Sequence, residues 1–239
     1  MDPAAARTAV LTSVRLLARD TKLYTLALDA PLPFEAGHFV NLTIPGAAPR
    51  PERSYSIWSD PVAPGSLEFA IKLFPGGQAS EYLRDVPVGT SIHLRGPFGH
   101  FTLRPADDPK NPGTIWMFAT STGLAPFHAM LSVAARTGDP RRFRLLFGCR
   151  DKEDVFGVEE LDRLAQKLDL SYAICLSQPT VVEHPWRNCL RGRITAHLPE
   201  IAQSDRYYLC GNGAMITEAR ELLKAAGADR KRIHFEKYW

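Results

Sequence analysis

The sequence contains little cysteine, and its thiols lie far apart along the chain. The 239 residues include four cysteines, none of them in a C-x-x-C pattern: Cys149, Cys175, Cys189 and Cys210. Zinc sites and protein-held iron–sulfur clusters use closely spaced cysteines, so the sequence predicts neither and indicates no other metal site. Reduced, separate thiols are expected.

Concentrated charge and long apolar runs are also missing. The net charge of +3 has no polybasic run behind it, so no nucleic-acid partner is expected and the preference for an acidic partner is weak. The first residues show no secretory signal, which favours a cytoplasmic protein. The one long uncharged run, residues 114–135, contains Gly123 and Pro126, and we interpret it as strand, turn and helix rather than a membrane span.

The first half of the chain has the pattern of an all-β unit. Short apolar or alternating runs, such as residues 24–28, 38–44 and 67–71, are separated by turns rich in proline and glycine. This density of turns is typical of a small antiparallel barrel or sandwich.

After the breaker-rich segment 105–113 the periodicity changes. Apolar strand candidates at residues 114–119, 143–147, 170–176, 206–209 and 232–235 alternate with helical patterns, which predicts a parallel sheet built from βαβ units. The clearest helix is expected from about Ala214 to Ala226, ending at Gly227. Its expected apolar stripe consists of Met215, Ile216, Ala219, Leu222, Leu223 and Ala226. We therefore predict two domains, residues 1–106 and 113–239, joined by this segment.

Two motifs in the first half favour an anionic, flat ligand. Arg53 and Tyr55 share one face of a predicted strand, which presents a cation for phosphate beside an aromatic ring. Residues 76–80, Gly-Gly-Gln-Ala-Ser, precede a helical pattern, so free amide groups and the Ser80 hydroxyl can form an anion site. Each motif alone is also common in purely structural roles.

Three motifs in the second half lie where strands end. Residues 120–126, Thr-Ser-Thr-Gly-Leu-Ala-Pro, follow a strand and open a helix, as in dinucleotide-binding folds, although the three-glycine fingerprint is absent. Cys210 ends another strand, where it has either a ligand-facing or a packing role. The terminal pair Tyr238 and Trp239 would expose apolar surface unless something flat covers it.

In this order the five motifs resemble the plant-type ferredoxin-NADP reductase family over essentially the whole chain. The segment Gly96-Pro97-Phe98-Gly99 adds the turn that closes the family's barrel. The resemblance implies an N-terminal antiparallel Greek-key β-barrel that binds FAD, followed by an α/β parallel-sheet domain that binds NADPH or NADH.

The resemblance also implies roles for individual residues. Ser56, Cys210 and Glu236 would be catalytic, Ser56 near the flavin N5 and the other two framing the nicotinamide. FAD would be bound by Arg53, Ser54, Tyr55, Ser56, Ala70, Lys72, Gly77, Gln78, Ala79, Ser80, Thr122, Tyr238 and Trp239. The nucleotide would be bound by Thr122, Gly123, Arg150, Arg193, Cys210, Gly211 and Asn212.

The sequence departs from the family pattern at two places. Thr120-Ser121 stands where Gly-Gly or Thr-Gly is more usual. Ser177-Gln178-Pro179 stands where NADP-specific relatives have a Ser-Arg-Glu-like segment, so one arginine for the 2′-phosphate is missing. Arg150, Arg191 and Arg193 offer that charge instead. The choice between NADH and NADPH stays open.

The family resemblance implies a function and a set of partners. The chain is expected to be a monomeric ferredoxin–NAD(P)⁺ reductase-type flavoprotein, exchanging electrons between NAD(P)H and an external ferredoxin or flavodoxin in either direction. One alternative on the same fold is a reductase for free flavin or for an oxygenase component. The other is a non-catalytic regulatory subunit that keeps the FAD fold; such a subunit would be expected to carry its own cluster cysteines or to lack Cys210.

Overall fold

The computed structural model describes residues 5–45, 51–108, 110–180 and 186–238. Its first half contains one antiparallel sheet and one helix. The strands are β1 (Arg7–Ala18), β2 (Thr21–Leu28), β3 (Phe39–Thr43), β4 (Glu52–Ser56), β5 (Ser66–Lys72) and β6 (Ser91–Phe98), and the helix is α1 (Gln78–Asp85).

The six strands follow the order β4-β3-β6-β1-β2-β5, in which the hairpins β1-β2 and β3-β4 are joined through β6. The two outer strands are then bridged. The amide of Trp58, just after β4, donates to the carbonyl of Glu68 in β5 at 2.8 Å, and the Glu68 amide donates to Ser59 Oγ at 3.1 Å. The sheet thus curls back on itself around an apolar interior that includes Leu11, Val40 and Phe69.

The second half contains a parallel sheet flanked by helices. Its strands are β7 (Thr114–Thr120), β8 (Arg142–Cys149), β9 (Leu170–Leu176), β10 (Cys189–Arg191), β11 (Arg206–Asn212) and β12 (Ile233–Tyr238), and its helices are α2 (Leu124–Thr137), α3 (Val158–Ala165) and α4 (Gly213–Ala225). The predicted fold class, a β-barrel followed by an α/β parallel-sheet unit, is confirmed.

The strand order of the second sheet locates a ligand crevice. The order is β10-β9-β8-β7-β11-β12, so the chain builds outward from β7 in one direction and then crosses to the other side of it. Open parallel sheets bind ligands outside the carboxyl ends of the strands at such a switch point. In this chain those ends are Thr120 of β7 and Asn212 of β11.

The sequence predicted most of these elements within a few residues. Helix α4 spans Gly213–Ala225, close to the expected range, but Leu222 of its expected apolar stripe is 43% exposed. The edge strand β10 was not predicted, because a three-residue strand is too short to show a period. Residues 114–135 form β7, a short 3-10 helix and α2, as interpreted from the sequence.

The two halves share an apolar core. Trp58 and Phe101 from the first half pack in one cluster with Phe127 of α2 and with Met117 of β7. Polar contacts reinforce the packing: Arg136 of α2 binds Asp60 through two nitrogens, each at 3.1 Å. A shared core of this kind favours a fixed relative placement of the two halves.

The segment predicted to link the halves is tied to the second sheet. Asp107 forms ion pairs with Arg206 of β11 and with Arg232, the latter at 2.7 Å. Asp205 receives hydrogen bonds from the Thr114 amide at 2.8 Å and from the Trp116 indole at 3.0 Å. These contacts fix where β7 begins.

None of the helices in these ranges is long and apolar enough to cross a bilayer. All four cysteines are unpaired thiols. In the part of the chain that the structure describes, no three His, Cys, Asp or Glu side chains are grouped so that they could hold a metal ion.

Candidate functional site

Four side chains from three strands meet where the halves face each other. The Ser56 hydroxyl, at the end of β4, donates to Glu236 Oε1 at 2.8 Å. The Tyr238 hydroxyl donates to Ser56 Oγ at 2.6 Å and is also hydrogen-bonded to the Cys210 thiol. Three of the four come from the second sheet, so the first half completes the cluster with a single residue.

The second sheet presents its three members of the cluster on one face. Cys210 of β11 is in register with Glu236 of β12, and Asn212 is in register with Tyr238. Side chains two residues apart on a strand point to the same side, so Glu236 and Tyr238 both face Ser56 of the barrel, and Cys210 lies beside them. Leu209, the residue before Cys210, packs in the core on the opposite side of the sheet.

Burial raises the pKa of the acidic groups in this cluster. Desolvation raises the pKa of Glu236, and the hydrogen bond from Ser56 opposes that rise only in part. Burial also raises the pKa of the Cys210 thiol well above its usual value, and the nearby Glu236 carboxylate adds to this. Cys210 is therefore a neutral thiol at physiological pH, suited to contact a ligand and not to attack it as a thiolate.

Strand β4 presents a cation beside an aromatic ring. Arg53 is exposed and donates to the Glu52 carbonyl at 2.9 Å, and no carboxylate pairs with it among the described residues. Tyr55 is half-buried; burial raises its pKa to about 12, although the Arg53 guanidinium acts in the opposite direction. Ser54, between them, donates to Asn41 Oδ1 at 2.7 Å. Arg53 and Tyr55 thus lie on one face, as the strand pattern predicts.

The start of α1 has the form of an anion site. Its N-cap is Gly77, and no side chain caps the first turn, so the leading amide groups are open. Ser80 Oγ accepts a hydrogen bond from the Phe74 amide at 2.9 Å, which leaves the hydroxyl proton of Ser80 to donate elsewhere. Gly76 has a φ of +74° and open space where a Cβ would stand.

The end of β5 contacts the second half of the chain directly. Ala70 is buried in the shared core. The Lys72 ammonium lies 3.2 Å from Asp154 Oδ1, and Arg19 lies 3.5 Å from Asp154 Oδ2. Lys72 therefore already has an anionic partner, so its predicted contact with a cofactor is left to its backbone and carbon chain.

The loops after β7 and β11 interlock. A Cβ on Gly123 would stand 2.3 Å from the Cys210 carbonyl oxygen, and one on Gly211 would stand 2.2 Å from Thr120 Oγ1. Thr120 Oγ1 also accepts a hydrogen bond from the Asn212 amide at 2.8 Å. The glycines allow the close approach, and the 3-10 helix Ser121–Gly123 is thereby held between β11 and β5 of the barrel.

Asn212 has a structural task alongside its predicted one. Its Oδ1 accepts hydrogen bonds from the amides of Ala214 at 2.8 Å and Met215 at 3.4 Å, which caps α4. Only its side-chain NH₂ group is left for a ligand.

Pro126 is the third residue of α2 and not the first, because the 3-10 helix precedes it.

Ser121 adopts a left-handed backbone conformation with a φ of +52°, alone among the described non-glycine residues. This is the position where the family usually has glycine. We expect Ser121→Gly to raise the melting temperature by about 1–3 °C, because relief of roughly 1–2 kcal/mol of strain exceeds the added entropy of the unfolded chain. Ser121→Ala, which keeps the strain, is the control; an unchanged or lower melting temperature for Ser121→Gly would contradict the strain.

Basic side chains gather where β8, β9 and β10 end. Arg150, Arg191 and Arg193 are exposed, and none of them has a carboxylate partner in the described ranges. The Gln178 amide donates to the Arg150 carbonyl at 2.8 Å, which places Gln178 beside this group. Trp239, predicted to lie over the cofactor, is outside the described residues.

Sequence reasoning missed two contacts that join the halves near the site. Trp58, two residues after Ser56, stacks on His128 of α2 with ring centroids 4.0 Å apart, and its carbonyl lies 2.9 Å from His128 Nδ1. Asp154 binds Lys72 and Arg19 of the barrel. Nothing in the local pattern around these residues indicates a partner so distant in sequence.

Two family descriptions match the sequence. The oxidoreductase FAD-binding domain matches residues 8–103, and the oxidoreductase NAD-binding domain matches residues 117–221. The first range covers the barrel and α1. The second begins in β7 and extends into α4, so the interlocked loops lie within it.

Curated relatives are similar along most of the chain. Ferredoxin–NADP reductase B of Sorangium cellulosum is 35% identical over 216 residues, which cover 86% of this chain and 85% of that protein. The reductase component of propane 2-monooxygenase from Rhodococcus jostii is 31% identical over 214 residues, 86% of this chain but 55% of that protein. The toluate 1,2-dioxygenase electron transfer component of Pseudomonas putida is 30% identical over 235 residues, 96% of this chain and 67% of that protein.

Solved structures share the architecture. An Amycolatopsis cytochrome P450 reductase matches with a TM-score of 0.86 at 27% identity, covering 98% of this chain and 69% of its own. A ferredoxin NADP⁺ reductase from Neisseria gonorrhoeae, solved with FAD and NADP, matches with a TM-score of 0.80 at 19% identity over 98% of this chain and 99% of its own, a likeness of fold.

Proposed function

Given that this chain belongs to the ferredoxin–NADP reductase-like family of FAD-dependent oxidoreductases, we propose that it carries electrons between NAD(P)H and a ferredoxin or flavodoxin. The observation that supports this most is the cluster of Ser56, Glu236, Tyr238 and Cys210. In it, the end of β4, the strand that carries Arg53, contacts the parallel sheet near its switch point between β7 and β11. Residues 1–106 would hold FAD and residues 113–239 the nicotinamide nucleotide.

Residues of the first half would hold FAD. Its diphosphate fits between the free Arg53 guanidinium and the open amides and hydroxyl at the start of α1, which Gly77, Gln78, Ala79 and Ser80 provide. The Tyr55 ring would stack on the isoalloxazine with Ser54 beside it, Ala70 and Lys72 would border the cofactor along β5, and Thr122 would approach it from the second half. By the family resemblance, Tyr238 would cover the other face of the flavin and Trp239 would cover the adenine.

Residues of the second half would hold the nucleotide. Thr122, Gly123, Gly211 and Asn212 lie on the interlocked loops at the carboxyl ends of β7 and β11, where the fold brings dinucleotides. Arg150 and Arg193 offer positive charge further along the same edge of the sheet. The neutral Cys210 thiol would lie against the nicotinamide.

The catalytic cluster can position groups and hold a proton. When bound, FAD supplies what no side chain offers, since it takes a hydride from reduced nicotinamide and passes electrons on singly. Burial raises the pKa of Glu236, and the hydroxyl of Ser56 connects its carboxyl group to the hydroxyl of Tyr238. The Tyr238 ring also keeps water from the face it covers.

The decisive experiment follows the flavin absorbance of the purified protein under anaerobic conditions. We expect bleaching on addition of NADPH or NADH, with the two nucleotides measured in parallel, followed by recovery when an oxidised ferredoxin or flavodoxin is added. A flavin that neither nucleotide bleaches would overturn the proposal. Steady-state turnover with and without ferredoxin then separates this function from the reduction of free flavin.

A reductase component of an oxygenase is the second candidate, and the relatives from propane monooxygenase and toluate dioxygenase favour it. The same site chemistry would serve both roles, so the difference lies in the electron acceptor. Comparable turnover rates with an oxygenase component and with ferredoxin would support the second candidate. In either role, we propose that the protein is a cytoplasmic monomer, since NAD(P)H is available in that compartment.

The choice between NADH and NADPH gives a testable prediction at Gln178. We expect Gln178→Arg to raise the ratio of kcat/KM for NADPH over NADH by about tenfold, because a guanidinium beside the 2′-phosphate adds a charge-assisted bond that NADH cannot form. Gln178→Leu, which adds no charge, is the matched control. An unaltered ratio for Gln178→Arg would mean that the 2′-phosphate binds elsewhere.

A further inference from the structure

Trp58 is a residue of the first half whose side chain is enclosed by the second half. It is 3% exposed, and its ring stacks on His128 of α2 with centroids 4.0 Å apart and 10° between the ring planes. The Phe156 ring lies 6.0 Å away, and a Cβ on Gly157 would stand 3.2 Å from the indole Cη2 atom. The indole therefore occupies a slot formed by α2 and by the segment that precedes α3.

The contact between Trp58 and His128 is directional as well as apolar. His128 Nδ1 lies 2.9 Å from the Trp58 carbonyl oxygen, which can only accept, so Nδ1 carries the proton. Burial lowers the pKa of His128, so the ring is neutral at physiological pH. The Trp58 amide in turn donates to the Glu68 carbonyl at 2.8 Å. A shift of α2 against the barrel would break the stack and the hydrogen bond together.

This contact lies between the two parts of the candidate site. Trp58 is two residues after Ser56, whose hydroxyl belongs to the site cluster. His128 is four residues, about one helical turn, after Leu124, the first residue of α2. The 3-10 helix of residues 121–123, which belongs to the proposed nucleotide loop, ends directly before Leu124. Ser56 and this loop are therefore connected by a short path through the stack.

The placement of this loop against Ser56 matters for the proposed reaction. Hydride transfer requires its two reacting atoms to be about 3–3.5 Å apart, and a misplacement of about 1 Å can lower the rate by about 100-fold. The flavin and the nicotinamide are proposed to bind to different halves of the chain. The contacts that fix one half against the other near Ser56 therefore set that distance.

We propose that Trp58 is a positioning residue for hydride transfer, because its stack on His128 sets how closely the nucleotide loop approaches Ser56. It acts through the placement of α2. The proposal rests on the proposed function, in which the first half binds FAD and the second half binds the nicotinamide nucleotide.

Anaerobic stopped-flow reduction of the flavin by NADPH and NADH tests this inference. Trp58→Leu is expected to lower the limiting rate at saturating nucleotide by about tenfold. It should also weaken the long-wavelength charge-transfer absorbance of the nucleotide–flavin complex, which reports how the two rings stack. FAD content and the FAD dissociation constant should not change. Trp58→Phe keeps a ring in the slot and is expected to recover most of the rate and of the absorbance.

Arg136→Ala is the matched control. Arg136 binds Asp60 across the same interface, but it lies about two turns further along α2 from the nucleotide loop. Its loss loosens the interface far from Ser56, so the limiting rate and the absorbance should stay at wild-type values.

The partnership of Trp58 with His128 is tested by a double-mutant cycle. His128→Ala should slow reduction as Trp58→Leu does, and the double variant should be no slower than the slower single variant, because both changes remove the same contact. Fully additive losses would contradict a shared role.

Two further outcomes would overturn the inference. The first is a Trp58→Leu protein with the wild-type limiting rate and absorbance and only a lower melting temperature, as a purely structural role predicts. The second is an equal loss of rate in Arg136→Ala, which would assign the effect to the interface as a whole. Wild-type flavin that neither nucleotide bleaches would instead contradict the proposed function itself.

Should Trp58→Leu fail to fold or lose FAD, His128→Ala decides alone. His128 is only partly buried, and alanine is a good helix former, so α2 is expected to persist in this variant. A slower limiting rate with full FAD content would support the positioning role, and a wild-type rate would refute it.

Discussion

Arg53→Ala is expected to purify largely without FAD. Arg53 is the cation of strand β4 that has no carboxylate partner among the described residues, so its charge is available to a phosphate. A charge-assisted hydrogen bond to an anion contributes about 1.5–3 kcal/mol, and its loss leaves the diphosphate without its fixed counter-charge. FAD affinity should therefore fall by about 10- to 150-fold.

Arg95, on the nearby strand β6, is a weaker candidate than Arg53 for binding the diphosphate. Arg95 of β6 is already paired with Glu52, with its Nη2 atom 2.5 Å from the carboxylate. The Glu52 carboxylate thus neutralises Arg95. The Arg53 guanidinium is hydrogen-bonded to the Glu52 carbonyl and keeps its positive charge uncompensated by that carboxylate.

Two control variants separate charge from geometry and from folding. Arg53→Lys keeps the charge without the planar fork, so intermediate FAD retention is expected. Arg163→Ala removes an arginine of α3 whose side chain is 66% exposed and should leave FAD content unaffected. The ratio of bound flavin to protein and the dissociation constant of FAD are the measurements, and an Arg53→Ala protein with full FAD content and wild-type affinity would refute the diphosphate assignment.

Local patterns predicted the elements of the fold because each element is encoded in neighbouring residues. The alternation in β5 and the stripe of α4 both reflect which side of an element faces the core, a period that is visible without the partner. The two errors of these predictions also have local causes. Leu222 is at the margin of its helix stripe, and β10 has only three residues.

The composition of the candidate site could not be derived from such patterns. Ser56 and Glu236 are 180 positions apart and sit in different halves, so only the family resemblance suggested that they belong together. The structure brings them into contact, and their chemical roles stay predictions. The pairing of Asp154 with Lys72 and the stack of Trp58 on His128 were not suggested at all, because a single charged or aromatic residue carries no information about a distant partner.

The backbone conformation of Ser121 is a further feature that the sequence could not predict. The sequence indicates only that a serine replaces a usual glycine in the loop after β7. The structure shows that Ser121 has a left-handed backbone with a φ of +52°, a conformation that glycine adopts more easily than serine. The contacts of Thr120 with Gly211 and Asn212 fix the residue that precedes Ser121.

Tyr238→Ala is expected to have two opposed effects, looser FAD and tighter nucleotide. The Tyr238 side chain closes the cluster through its hydroxyl, which donates to Ser56 Oγ at 2.6 Å, and its ring packs against the shared core. If this ring covers the flavin, it both stabilises the cofactor and occupies the face on which nicotinamide must stack for hydride transfer. Its loss removes a stacking contact of roughly 0.5–1.5 kcal/mol beyond area burial, so FAD affinity should fall by about one order of magnitude.

Tyr238→Phe separates the ring from the hydroxyl. It keeps the ring and loses the bonds to Ser56 and Cys210, so FAD and nucleotide affinities close to wild type are expected, while both constants change in Tyr238→Ala. The competing view is that Tyr238 only finishes the packing of β12, which predicts a lower melting temperature for Tyr238→Ala with unchanged nucleotide binding. Titration with oxidised nucleotide, followed through the flavin difference spectrum, distinguishes the two, because the covering role requires a lower nucleotide dissociation constant in Tyr238→Ala than in Tyr238→Phe.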